Sequence, residues 1–174
     1  MLQTFKFAWP SPVFVLLVLL SLAGCKSKDP YEEYEKRQRE QDDLFIQEYL
    51  TGNKITNFTK STTGLYYLPQ QVGTGAKIQL GNSVTMHYIG RFLNGQKFES
   101  SYDTGVPLTF TVGGNVASNG TPVLKGMNEG IVLMNNLEKS TLIIPSHLGY
   151  GRSNYGYVPA GTVLVYELTI LDVK

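Results

Sequence analysis

The rhythm of apolar and polar positions changes three times along this chain. Val13 to Leu20 is unbroken apolar sequence. Tyr31 to Asp43 is mostly charged, and from Leu44 a helical spacing sets Leu44, Phe45, Tyr49 and Leu50 on one face. Asp29, Pro30 and the pair Glu32–Glu33 make a helix start, and Gly52 makes a stop. The charged part predicts a solvated helix or tether, whose end from Leu44 docks on the main domain or on a second copy. Thr51–Thr63 reads as a polar linker. Beyond Gly64 the period becomes two. A short strand ends at Pro69. Val84, Met86 and Tyr88 face one way between Ser83 and Arg91, with Thr85, His87 and Ile89 opposite. Asn94-Gly95 marks a hairpin turn. Leu108, Phe110 and Val112 alternate, "STLIIP" is a buried strand, and Leu164, Tyr166, Leu168 and Ile170 form the apolar face of a last long strand. Only Val123 to about Met134 looks helical. Several antiparallel strands with one short helix predict an α+β domain, the helix covering one apolar face of the sheet.

Composition adds bounds. The chain has 174 residues, enough for one domain with extra segments. The net charge of +1 provides no field for nucleic acid. The lone cysteine, Cys25, forbids an intrachain disulfide. Two isolated histidines, His87 and His147, make no metal site, and no Ser/His/Asp or phosphate-loop pattern is present. No metal or cofactor is expected.

The amino end reads "MLQTFKFAWPSPVFVLLVLLSLAGC", with Lys6 its only charge. A positive start, an apolar middle and small residues at a cut site are the layout of a secretory signal. Leu22-Ala23-Gly24-Cys25 resembles the bacterial lipobox, which implies lipidation of Cys25 and an acyl anchor on a membrane surface. A plain signal peptide or an uncleaved anchor are the alternatives, though a span needs about 20 apolar residues and Pro10 and Pro12 shorten this one. The expected organisation is a signal peptide with lipobox over 1–24, a lipidated cysteine with charged helical stalk and linker over 25–60, and a folded domain over 61–174. Lys26 and Ser27 lack the Asp that retains some lipoproteins in the inner membrane, which favours the outer membrane.

The phrases "VTMHYIGRFLNGQKFESS", "PLTFTVGG", "PVLKGMNEGIVLM", "LIIPSHLGYG" and "VPAGTVLVYELTIL" occur in the order of, and resemble, the FKBP-type peptidyl-prolyl isomerases. The resemblance covers residues 64–174. It implies a curved antiparallel sheet wrapped around one short helix, and isomerisation of X–Pro bonds. It also resembles lipoprotein isomerases of the envelope in Bacteroidota-like bacteria, which implies exported proline-containing polypeptides as partners. The helical face over residues 44–50, by its own pattern, is a candidate homodimer surface. By motif, it assigns Tyr88, Phe98, Glu99 and Tyr150 to catalysis. Leu108, Val123, Leu124, Met127, Val158 and Tyr166 complete the substrate-binding wall, with Met127 as floor. In the family, a backbone N–H beside the Val-Leu pair and the loop tyrosine hydroxyl bond ligand carbonyls. This chain has Glu99 where many members have Asp, Leu108 and Tyr166 where they have Phe, and Met127 where they have Trp. Read without the resemblance, Tyr88, Phe98 and Tyr166 fit plain core, Glu99 a turn cap, and "GGNVASNGTP" an ordinary surface loop.

Overall fold

The computed structural model describes residues 29–174. The segment expected as signal sequence and lipobox, with Cys25, lies outside the described residues. Residues Tyr34–Lys174 form one compact unit, which holds the whole sheet.

Helix α1, Pro30–Gly52, ends at the residue expected as its stop, and Asp29 caps its start by accepting from the Tyr31 N–H at 2.9 Å. The left-handed residue that turns the chain away is Lys54, at φ 57. Strands β1 (Thr59–Lys60), β2 (Tyr66–Gln71), β3 (Ser83–Phe92) and β4 (Lys97–Ser100) follow, then a one-turn helix α2 (Ser101–Thr104) and β5 (Leu108–Thr111). Helix α3 (Lys125–Ile131), β6 (Lys139–Ile144), a 3-10 turn (Ser146–Leu148) and β7 (Leu164–Val173) complete the order. The sheet runs β1-β2-β6-β7-β3-β4, with β5 also paired to β3, and every pairing is antiparallel. The α+β class read from the sequence is borne out.

The alternating strands bury the faces that their period assigns. Val84, Met86 and Tyr88 join Leu108, Phe110, Val112, Leu164, Tyr166, Leu168 and Ile170 in one core, which α3 covers through Met127 and Ile131. The Asn94-Gly95 turn closes β3 onto β4, with Gly95 at φ 85, a left-handed value glycine takes without a Cβ clash. Pro69 lies inside β2 rather than ending it. Beyond Tyr67 that strand has lost its β1 neighbour, so an edge position is open to a residue without an N–H.

Three further expectations are corrected. The sheet buries both faces, not one. Ile46 and Leu50 of α1 pack with Tyr66, Leu68, Ile143, Val163 and Val165 in a second core behind the first. The segment expected as linker contributes too: β1 pairs with β2, and Ile55 and Phe58 pack against that second core. The face of α1 that docks is also different. Its buried residues are Asp42, Ile46 and Leu50, one per turn, while Leu44 and Phe45 stay exposed. An apolar count passes over Asp42 because it is charged.

Asp42 is 1% exposed. Its carboxylate accepts from the Ser146 N–H at 2.8 Å, the Ser146 hydroxyl at 2.7 Å and the Gln38 amide at 2.8 Å. A buried charge tolerates dehydration when its lone pairs are filled in this way. Next to it, Asp43 accepts from Lys60 Nζ at 2.5 Å and from the Tyr66 hydroxyl at 2.6 Å. Burial alone would raise the Asp43 carboxyl, but these two donors outweigh it and hold the group below its ordinary value.

Candidate active site

Strand β3 delivers Tyr88 to the inner face, and two serines fix its backbone. The Ser101 hydroxyl accepts from the Tyr88 N–H at 2.9 Å, and the Ser100 hydroxyl donates to the Tyr88 carbonyl at 3.2 Å. Ser100 also caps α2, accepting from Tyr102 N–H at 3.1 Å. The two residues before the serines are Phe98 and Glu99, so the same contacts set where β4 presents them. His87 stays on the opposite face, its Nδ1 2.9 Å from the Ser101 hydroxyl.

Gly90 pairs with Glu99 on one side and Tyr166 on the other. A Cβ at Gly90 would stand 2.7 Å from Phe98 Cζ and 3.0 Å from Glu99 Cγ. Only glycine leaves room for both side chains to fold over β3. Nothing in the strand pattern gives this glycine a role. Gly90→Ala is expected to displace Phe98 at an overpacking cost of about 1–3 kcal/mol. The X–Pro turnover that the resemblance implies should fall about tenfold. Unchanged turnover and an unchanged unfolding midpoint would show that the ring has room to spare.

Tyr166 sits at the centre of the cluster. Its ring centroid is 5.8 Å from Tyr88 and 5.9 Å from Phe98, the latter edge-on at 84°. Such edge contacts suit aromatic quadrupoles. The Tyr166 hydroxyl donates a short hydrogen bond to Glu99. Burial pushes the Glu99 carboxyl above its ordinary range, although the Tyr166 and Tyr88 hydroxyls favour its charged form. Burial and then the Glu99 charge push Tyr88 up to about 12. Burial first, with the Glu99 charge next among the effects that raise them, lifts Tyr150 and Tyr166 as well. All three hydroxyls therefore remain protonated donors at neutral pH.

The raised carboxyl has a sign that can be measured. A group with a raised native pKa contributes its full stability below its unfolded value, and loses it as pH rises through the native one. Glu99→Gln does not titrate. Wild type is therefore expected to lose stability relative to Glu99→Gln as pH rises above the ordinary glutamate value of 4.5. Urea unfolding of both proteins along that series checks it, and a constant or opposite trend would contradict it.

Tyr150 comes from the segment between β6 and β7, just after the 3-10 turn. Its ring stacks on Tyr155 at 4.3 Å and 8°. Tyr155 and Val158 exchange two backbone hydrogen bonds of 2.9 Å, which holds Val158 against the core. Tyr155 was not foreseen, because its stacking depends on how this loop folds back.

The Val123-Leu124 pair precedes α3. The Leu124 carbonyl accepts from the Met127 and Asn128 N–H groups at 3.1 Å each, opening the helix without a side-chain cap. The Val123 N–H donates to the Asn115 carbonyl at 2.9 Å, whereas among the described residues the Leu124 N–H donates to no protein acceptor. Asn128 ties the preceding loop to the helix, accepting from Gly113 N–H at 2.7 Å and donating to the Gly114 carbonyl at 2.8 Å. That residue too was missed. Two glycines weaken α3 by about 1 kcal/mol each relative to alanine, yet the packing demands them. A Cβ at Gly126 would meet Ile144 at 2.5 Å, and one at Gly130 would meet Leu142 at 2.3 Å, both fully buried side chains.

The structure thus brings all ten expected residues together. Tyr88, Leu108, Val123, Leu124, Met127, Val158 and Tyr166 share the main core, Phe98 and Tyr150 pack on it half-buried, and Glu99 is joined through Tyr166. Residues 74–171 match the family model of the FKBP-type peptidyl-prolyl cis-trans isomerase. The chain belongs to that family.

Relatives of the FKBP type agree. The chain is 31% identical over 149 residues to the isomerase FkpA of Buchnera aphidicola, covering 85% of this chain and 55% of that protein. It is 37% identical over 129 residues to FkpA of Aeromonas hydrophila, covering 74% and 45%. With FK506-binding protein 1A of Neurospora crassa it shares 40% over 113 residues, covering 64% and 89%. The chain spans about half the length of the two FkpA relatives. The crystal structure of FkpA from Escherichia coli superposes with a TM-score of 0.66 at 25% identity, over 95% of this chain and 74% of that one. That of AtFKBP13 gives 0.60 at 32%, over 68% and 100%. Helix α1 and β2 precede the residues matched by the family model.

Proposed function

We propose that this chain accelerates cis/trans isomerisation of X–Pro bonds in exported polypeptides at the bacterial envelope. The observation that carries the reading is the single apolar cluster around Tyr166, rimmed by Tyr150, Phe98 and Glu99. The uncatalysed bond takes roughly tens to hundreds of seconds, because amide resonance sets a barrier of about 18–20 kcal/mol. No covalent step is needed. A half-rotated amide has lost resonance and polarity, so an apolar wall that grips the proline ring favours it over the planar form. The Tyr150 hydroxyl and the free Leu124 N–H supply donors for the carbonyls on either side. Glu99 orients the Tyr166 hydroxyl at the base. Tyr88, Leu108, Val123, Met127 and Val158 supply the wall.

The reading extends to a lipid anchor on Cys25 facing the periplasm or the surface, with the outer membrane preferred, supported by the lipobox-like "LAGC". The homodimer expected through residues 44–50 now rests on Leu44 and Phe45, since Ile46 and Leu50 are used against the sheet. Refolding of a denatured protein limited by proline isomerisation separates this reading from that of a non-catalytic chaperone or adaptor. An isomerase shortens the slow phase at catalytic concentrations. A higher yield with an unchanged rate would favour the chaperone.

A further inference from the structure

Phe98 has two sides. One ring edge meets Tyr166 in the inner aromatic cluster. The other side meets Phe92, whose ring centroid lies 5.0 Å away. Beyond that pair a cleft of about 710 Å³ opens between the β3–β4 hairpin and the loop that leads from Tyr150 to β7. Phe92, Phe98, Tyr157 and Pro159 give it apolar walls, and Gln96 and Thr162 lie at its polar margin. None of the ten residues of the candidate site except Phe98 lines it.

The walls are set before anything binds. The Thr162 hydroxyl donates to the Pro159 carbonyl at 2.7 Å, and the Asn154 side chain accepts from Ala160 N–H at 2.8 Å. Tyr157 projects from this braced loop at 92% exposure, the most exposed large apolar side chain among the described residues. An aromatic ring left so far in water gains by meeting another apolar surface.

The cleft's charge narrows its occupant. Among the described residues Lys97 is its one cation, and both oxygens of Asp103 already hold it, at 2.6 and 2.8 Å. An anionic group would have to compete with that carboxylate. Gln96, by contrast, has no side-chain partner among the described residues, so its amide is available to a peptide backbone. Three aromatic rings and a proline suit a neutral apolar side chain.

We propose that this outer cleft is a second subsite for the same polypeptide, taking an aromatic or large aliphatic side chain a few residues from the proline. The inference rests on the isomerase reading, because continuity through Phe98 is what links the two sites. Phe98 is shared and its neighbours are 5.0 and 5.9 Å away. At about 3.3–3.6 Å per extended residue, two to four residues bridge from one side of the ring to the other. The cleft would then select among prolines by their surroundings, while the inner cluster acts on the bond.

The test uses the full chain and a set of short X–Pro peptides made of alanine and glycine, each with one phenylalanine placed one to four residues before or after the proline. Exchange rates by NMR give kcat/KM for each, and shifts of the Tyr157 and Phe92 signals report binding separately. One phenylalanine position is expected to improve kcat/KM about three- to tenfold over the plain peptide. That ratio should fall to about one in Tyr157→Ala and survive in Tyr157→Trp. A ratio near one at every position in wild type, or a preference untouched by Tyr157→Ala, overturns the subsite. If no peptide is isomerised, the isomerase reading fails instead. In that case a tighter-binding phenylalanine peptide that moves the Tyr157 signals, and loses its advantage in Tyr157→Ala, still supports the cleft, and equal binding of all peptides sinks it.

Discussion

Asp42→Ala is expected to destabilise the folded unit by about 3 kcal/mol, the largest effect of any single charge removal on α1. The carboxylate is buried, and two of its three donors belong to Ser146. Alanine leaves the Ser146 N–H and hydroxyl dehydrated and unpaired, and that loss exceeds any relief from removing a charge. The midpoint of thermal unfolding should drop by roughly 6–12 °C for a domain of this size. Asn, which still accepts hydrogen bonds, should recover part of the loss. The exposed pair Lys36–Glu40, at 3.7 Å, provides the contrast. Breaking it should cost less than about 0.5 kcal/mol. Activity should suffer with stability in Asp42→Ala. Ser146 begins the segment that carries Tyr150, the Gln38 amide donates to the Gly161 carbonyl at 3.4 Å, and Arg152 lies 4.7 Å over the Tyr34 ring. Helix α1 therefore grips the Tyr150 loop at both ends. A midpoint within two degrees or so of wild type would mean that water replaces the carboxylate at little cost.

Phe98→Ala is expected to reverse that balance, with a large effect on turnover and a small one on stability. The ring is half-buried and packs on the core from its edge. Truncation should cost about 1–2 kcal/mol, less than the 3–5 kcal/mol of a fully buried phenylalanine. Turnover of X–Pro peptides should fall about 10- to 100-fold, because the side wall against Tyr166 disappears and water reaches the amide. Tyr150→Phe removes one donor and no wall, so a loss of about tenfold is expected there. Equal losses of activity and stability in Phe98→Ala would make the ring core rather than site. Steady-state exchange rates beside urea unfolding curves separate the two cases.

Much of the fold was legible because the strands keep strict period two. The faces Val84–Met86–Tyr88 and Leu164–Tyr166–Leu168–Ile170 needed no tertiary information. The second core was not legible. Val163 and Val165 alternate with the residues of the first face, and nothing local says that a helix covers them. Asp42 was hidden for a related reason. A charged residue counts as solvent-facing in any apolar pattern until its partner, more than a hundred residues later, is known. The ten site residues were reached through family motifs rather than through physics, and the sequence alone left Tyr88 and Tyr166 as core. Gly90, Asn128 and Tyr155 went unassigned because each acts by shape. One makes room, one ties a loop, and one backs a ring, and none of these leaves a compositional mark.

Whether the cluster around Tyr166 lowers the barrier to X–Pro rotation is tested most directly by the cis/trans exchange rate of a short X–Pro peptide, read by NMR with and without a small fraction of the full chain. Wild type is expected to accelerate exchange well above background, with a large loss in Phe98→Ala and Tyr150→Phe while both remain folded. No acceleration by folded wild type, or undiminished acceleration in both variants, would contradict it.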